Sequence, residues 1–112
     1  MKNESGFCNV TAIIRGDALE KVERRLQEIG VNGISMMQVK GYGEYTNFYN
    51  PEGLTSHVRL DIYTAAKCCD DIAQAIMEVA SSGVPGDGIV AVHPVGKVYR
   101  IRQRKAVGPD EL

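Results

Sequence analysis

The order in which strand-like alternation gives way to helical spacing most limits what this chain can fold into. Phe7 to Arg15 (FCNVTAIIR) is rich in apolar and β-branched residues and predicts a strand that Gly16 breaks. Asp17 is then placed to cap a helix, with Glu20 completing an Asp-x-x-Glu box. Leu19, Val22, Leu26 and Ile29 follow at spacings of 3, 4 and 3, on one helical face, and Gly30 supplies the left-handed stop. Ile34 to Lys40 (ISMMQVK) predicts a second strand. His57 to Tyr63 predicts a third, with Val58, Leu60 and Ile62 on one side and His57, Arg59, Asp61 and Tyr63 on the other. A second helix starts near Asp70 or Asp71 and buries Ile72, Ile76, Val79 and Ala80. Ile89 to His93 completes the strands, Lys97 to Arg102 adds a short extension, and the tail from Arg104 onward reads as polar and loose.

This β-α-β-β-α-β order predicts an α+β, ferredoxin-like sandwich in which both helices cover one face of an antiparallel sheet. The 112 residues make one domain, residues 1–112. The other sheet face would expose Ile13, Ile34, Met36 and Tyr63 among charged groups, which is too apolar for a comfortable monomer and predicts an oligomer. A mottled, solvated face is the alternative. Glu44 to Ser56 has no sustained period and reads as a long exposed loop, the kind of connection that usually carries function.

Composition removes several classes of function. The net charge of −1 gives no general attraction to nucleic acid or membrane, and the absence of Trp argues against a ring-rich base-stacking surface. No apolar run approaches the roughly 20 residues that span a bilayer, and the polar start from Met1 to Gly6 is unlike a signal peptide, so a cytoplasmic location is expected. Cys8, Cys68 and Cys69 form a poor disulfide framework that fits a reducing compartment, and the adjacent pair, Cys68 and Cys69, reads as inert packing residues, with a redox role as the alternative. His57 and His93 belong to no ligand-spaced motif, and no metal is expected.

Three stretches are able to carry chemistry. Lys40-Gly41-Tyr42-Gly43 ends strand two with glycines that let backbone amides approach a ligand. Ser82-Gly83-Val84-Pro85-Gly86-Asp87-Gly88 joins a helix to a strand and is able to cup an anion, although no Walker motif follows. Arg100-Ile101-Arg102, in an extended segment, would project both guanidinium groups together toward a polyphosphate. Taken alone, the first two also fit plain turns and the third a solvated charge pair. No Ser/His/Asp set or paired-carboxylate motif is evident, so a binding protein is favoured over an enzyme.

In this order, the three stretches resemble the PII signalling family. The resemblance runs from Phe7 to Arg102 and rests on Ala12-Ile13-Ile14-Arg15, Glu28-Ile29-Gly30-Val31-Asn32-Gly33, Val39-Lys40-Gly41-Tyr42-Gly43, Gly86-Asp87-Gly88 and Arg100-Ile101-Arg102. It implies a homotrimer with adenine nucleotide in the clefts between subunits. Residues 44–56 would be the T-loop, 82–88 the B-loop and 103–112 a flexible C-terminal tail. The nucleotide would be bordered by Ile13, Gly33, Ser35, Gly41, Tyr42, Gly43 and Tyr63. Gly83, Val84, Pro85, Gly86, Asp87, Gly88, Arg100 and Arg102 would hold the phosphates.

The departures from the family pattern narrow the expectation. Glu44 and Tyr45 stand where typical members carry arginine and glutamine, and Ile89 stands where a lysine follows Gly-Asp-Gly. The lysine usual before strand three is also lost, in a segment ending Ser56-His57. The loop is shorter than usual, and Tyr45 and Tyr49 lie outside the familiar modification context. The pattern is most similar to divergent PII-like proteins associated with carboxysomes and inorganic-carbon uptake. That similarity implies ADP or AMP in preference to ATP, a candidate bicarbonate response, and a partner reached through the T-loop, with a membrane bicarbonate transporter the candidate. The rival readings are a nitrogen-regulatory PII protein sensing ATP/ADP and 2-oxoglutarate, a small phosphohydrolase on the same fold, and a trimeric metal-tolerance protein of similar architecture.

Overall fold

In the computed structural model, residues 6–41 and 55–112 are described. Tyr42, Gly43 and the expected loop up to Leu54 lie outside the described residues. Strands β1 (Phe7–Arg15), β2 (Ser35–Gly41), β3 (Thr55–Ala65) and β4 (Gly88–Val95) form one antiparallel sheet in the order β2-β3-β1-β4. Helices α1 (Leu19–Glu28) and α2 (Cys69–Ala80) connect β1 to β2 and β3 to β4. The α+β ferredoxin-like arrangement read from the sequence is therefore the one found.

The core shows why these segments fold as they do. Val10, Ala12 and Ile14 from β1 and Val58, Leu60 and Ile62 from β3 alternate inward, where Val22 and Leu26 of α1 and Ile72 and Ile76 of α2 meet them. Leu60, Val10 and Val22 are fully enclosed, so both helices lie on one face of the sheet. At the end of α1, Gly30 takes φ +94° while the Val31 amide donates to the Leu26 carbonyl, a six-residue closure that satisfies the last turn.

Several boundaries differ from the sequence expectation. Asp17 does not cap α1: it lies in a short 3-10 turn, Gly16–Ala18, and the helix begins at Leu19 with no side-chain cap. β3 begins at Thr55, so the last two residues assigned to the long loop belong to a strand. The register also revises the open face. Met36 pairs with Leu60 and so projects to the helix side, Ile34 packs against the core, and Met37, opposite Arg59, stands on the open face instead. Ile13, Ile89 and Tyr63 do share that open face, with His93, Asn9 and Thr11. At its centre Asp61 accepts from Thr11 Oγ1 (2.8 Å) and Arg59 Nε (3.0 Å). Burial raises the Asp61 carboxyl, but Arg59 and Thr11 outweigh it and hold it below its ordinary value.

The cysteines and the C-terminus are more ordered than their composition suggests. Cys8 on β1 and Cys69 at the start of α2 are paired as a disulfide, and Cys68 is the free thiol, which corrects the reading of the three as a poor disulfide framework and of Cys69 as an inert packing residue. The adjacent pair, Cys68 and Cys69, is not the bonded one. Beyond β4, β5 (Tyr99–Arg100) and β6 (Lys105–Ala106) make a small hairpin, Val107 is buried, and Pro109–Glu111 form a 3-10 turn. The segment read as a loose tail is thus folded back onto the domain.

Candidate functional site

The turn between α2 and β4 is built around one carboxylate. Asp87 accepts from the Ser82 amide (2.8 Å), the Gly83 amide (3.0 Å), the Ser82 hydroxyl and Arg15 Nε (3.2 Å). Burial alone raises this carboxyl, but the Ser82 hydroxyl and amide, Arg15 and the Gly83 amide together bring it down to about 2. Arg15 Nη2 also donates to the Pro85 carbonyl (2.8 Å). His57 Nε2 lies 2.8 Å from the Gly86 carbonyl, and since a carbonyl only accepts, Nε2 carries the proton. Gly88 has no freedom to be anything else: at φ +110°, a Cβ there would stand 1.8 Å from the Ile13 carbonyl oxygen.

Asp87, grouped by the sequence with phosphate-holding residues, therefore has its charge turned into the turn's own amides and Arg15. It supports the turn from behind, while Gly83, Val84 and Pro85 are exposed on the outer side. Sequence reasoning missed both supporting side chains. Arg15 and His57 sit at facing positions of the β1–β3 ladder, on the mixed polar face of both strands, where no local signal distinguishes them from Thr11, Arg59 or Asp61.

A second group of residues lies elsewhere. Gly33, Tyr63 and Arg100 line an open cavity of about 730 Å³, together with Ile29, Glu111 and Leu112. Arg100 is held there by a hydrogen bond from Nη2 to the Glu111 carbonyl (2.8 Å). Arg102 does not project beside it: β5 ends at Arg100, residues 101–104 turn, and the paired-arginine geometry of an extended strand is lost. Ser35 and Gly41 stand at opposite ends of β2, paired with Asp61 and Thr55. Asp87 and Gly88 border a different cavity, of about 420 Å³, with Ile89 and Met77. Within one chain, then, Gly33, Tyr63 and Arg100 line one cavity and Asp87 and Gly88 another, while Ile13, Ser35, Gly41 and Arg102 line neither. Among the described residues, no cluster of His, Cys, Asp and Glu is able to hold a metal ion, and no helix is long and apolar enough to cross a membrane.

A two-layer α+β domain with a pinned glycine-rich turn and an open cavity, whose wall mixes Arg25 and Arg100 with Asp71, Glu78 and Glu111, defines a ligand-binding scaffold of the ferredoxin-like class. The family model described as nitrogen regulatory protein P-II matches residues 7–105, and the chain belongs to that family of signal transduction proteins. It is similar to the nitrogen regulatory protein P-II of Pasteurella multocida, 31% identical over 100 residues that cover 83% of this chain and 89% of the relative. The homologue from Arabidopsis thaliana is 27% identical, over 88% of this chain and 55% of its own length. A crystal structure of Arabidopsis thaliana PII bound to citrate superposes with a TM-score of 0.79 at 29% identity, over 92% of this chain and 90% of that one.

Proposed function

We propose that this chain is a non-enzymatic sensor that binds adenine nucleotide, ADP or AMP in preference to ATP, in clefts between the subunits of a homotrimer. The observation that carries the reading is the division of the site into two groups. The exposed turn residues Gly83, Val84 and Pro85 would take the anion, and the cavity of Gly33, Tyr63 and Arg100 offers a separate pocket with the Arg100 cation at its wall. A complete nucleotide site needs both, and a neighbouring copy is the simplest way to bring them together. The apolar members of the open sheet face, Ile13, Ile89, Met37 and Tyr63, support the same assembly.

The preference for fewer phosphates rests on charge. Ile89 replaces a cation near the terminal phosphates, and Glu44 adds an anion at the start of the segment between β2 and β3. A charge pair at close range near a protein surface is worth roughly 4 kcal/mol at most, enough to reorder affinities among AMP, ADP and ATP. The segment 44–54 is the proposed partner-facing element, its affinity for a partner set by the bound nucleotide, with a membrane bicarbonate transporter as the candidate partner and bicarbonate as a candidate second effector. The relatives' description as nitrogen regulatory proteins favours a second reading, an ATP/ADP sensor that also responds to 2-oxoglutarate. Calorimetric titration with AMP, ADP and ATP, each with and without bicarbonate or 2-oxoglutarate, alongside oligomer mass, separates them. Absence of adenylate binding refutes both, and strong 2-oxoglutarate dependence favours the second.

A further inference from the structure

His57, a residue of β3 paired with β2, also touches the glycine-rich turn. Its ring is 2% exposed, an enclosed polar group in the third residue of β3. In the sheet it faces Arg15 of β1 on one side and Val39 of β2 on the other. Its Nε2 then reaches across to the Gly86 carbonyl, itself within a buried residue at φ +103°. Arg15, its ladder partner, grips the residues on either side, Pro85 through its carbonyl and Asp87 through its carboxylate. Three successive residues of the turn are thus held by two side chains whose backbones are paired.

From this arrangement we infer that His57 is a positioning residue that makes the turn 82–88 and the ends of β2 and β3 one mechanical unit. The link is the Nε2–H···O=C bond to Gly86. A ligand anion that shifts the turn moves the Gly86 carbonyl, and the buried ring, with no room to rotate away, carries the shift into the backbone paired with Val39. The consequence for nucleotide binding rests on the function proposed above; the mechanical link itself does not.

The test compares His57→Leu, which removes the donor while keeping the volume close, with His57→Gln, which keeps an N–H donor. In the full-length protein without ligand, amide hydrogen exchange is followed over residues 83–88 and, separately, at 39–41 and 55–57. Loss of the bond in His57→Leu is expected to speed exchange about five- to tenfold in both regions together, with His57→Gln close to wild type. Titration with ADP and with adenosine then gives weaker ADP binding in His57→Leu and unchanged adenosine binding. Faster exchange in the turn with unaltered strand ends overturns the inference. So does a glutamine variant that behaves like leucine, since packing would then be the cause. If His57→Leu does not fold, nitrogen-15 NMR of the wild-type ring decides: a proton on Nε2, slow to exchange with solvent, supports the link, and a bare Nε2 refutes it. Failure of wild type to bind ADP or adenosine counts against the proposed function alone, because the exchange comparison needs no ligand.

Discussion

Replacing Asp87 by asparagine removes a charge that Arg15, Ser82 and Gly83 stabilise in the folded chain and nothing stabilises in the unfolded one. The carboxyl is lowered from an ordinary 3.8 to about 2, which corresponds to about 2.5 kcal/mol between charged and neutral forms. The side chain is 18% exposed and its partners Ser82 and Gly83 meet solvent, so screening reduces this, and the expected loss at pH 7 is about 1–2 kcal/mol. For a chain of this length that is a fall in Tm of roughly 4–10 °C, measured at fixed protomer concentration because assembly also shifts the midpoint. The sign of the pH dependence follows from the direction of the shift. The folded carboxyl is the more acidic, so its stabilisation is complete above the unfolded value near 3.8 and disappears as pH falls through about 2. Urea denaturation of wild type and Asp87→Asn at several pH values from 7 to 2.5 should show a gap that narrows toward the acid end. Equal stabilities at pH 7, or a gap that persists unchanged at pH 2.5, would show that the carboxylate does not organise the turn.

Two further outcomes follow from backbone and sulfur. Gly88→Ala places a methyl group against the Ile13 carbonyl at a φ that side chains rarely adopt, and should cost more than about 2 kcal/mol in denaturant unfolding, with added exchange at the start of β4. A stability within about 0.5 kcal/mol of wild type would show that β1 and β4 do not approach this closely. Titration of thiols in denaturant should find one reactive group per chain before reduction, Cys68, and all three cysteines after it. Three reactive thiols from the unreduced protein would remove the Cys8–Cys69 bond.

The elements were legible because their signals are local. Period-two alternation in 57–63 and the 3-4-3 spacing of Leu19, Val22, Leu26 and Ile29 each depend on neighbours a few residues away, and the core followed. What escaped depends on distant partners. Assigning Met36 rather than Met37 to the open face is a displacement of one position, which register alone resolves. Cys8 and Cys69 are 61 residues apart, and nothing in either neighbourhood names the other. Asp87 was legible as part of the turn, but whether its carboxylate faces outward or its own loop depends in part on Arg15, more than 70 positions away. That Gly33, Tyr63 and Arg100 share one cavity while Asp87 and Gly88 border another likewise depends on contacts between distant segments, which no local signal carries.

The C-terminal fold-back has a practical side. Glu111 and Leu112 form part of the wall of the larger cavity, and the Glu111 carbonyl is a hydrogen-bond acceptor for Arg100. Whatever is joined to Leu112, whether an affinity tag, a fluorophore or a fusion partner, would begin inside that wall, beside the Arg100 guanidinium. Binding measured on such a fusion would report the appendage as much as the protein. A label intended to leave the cavity untouched belongs instead on the exposed side of α1, at Lys21 or Arg24.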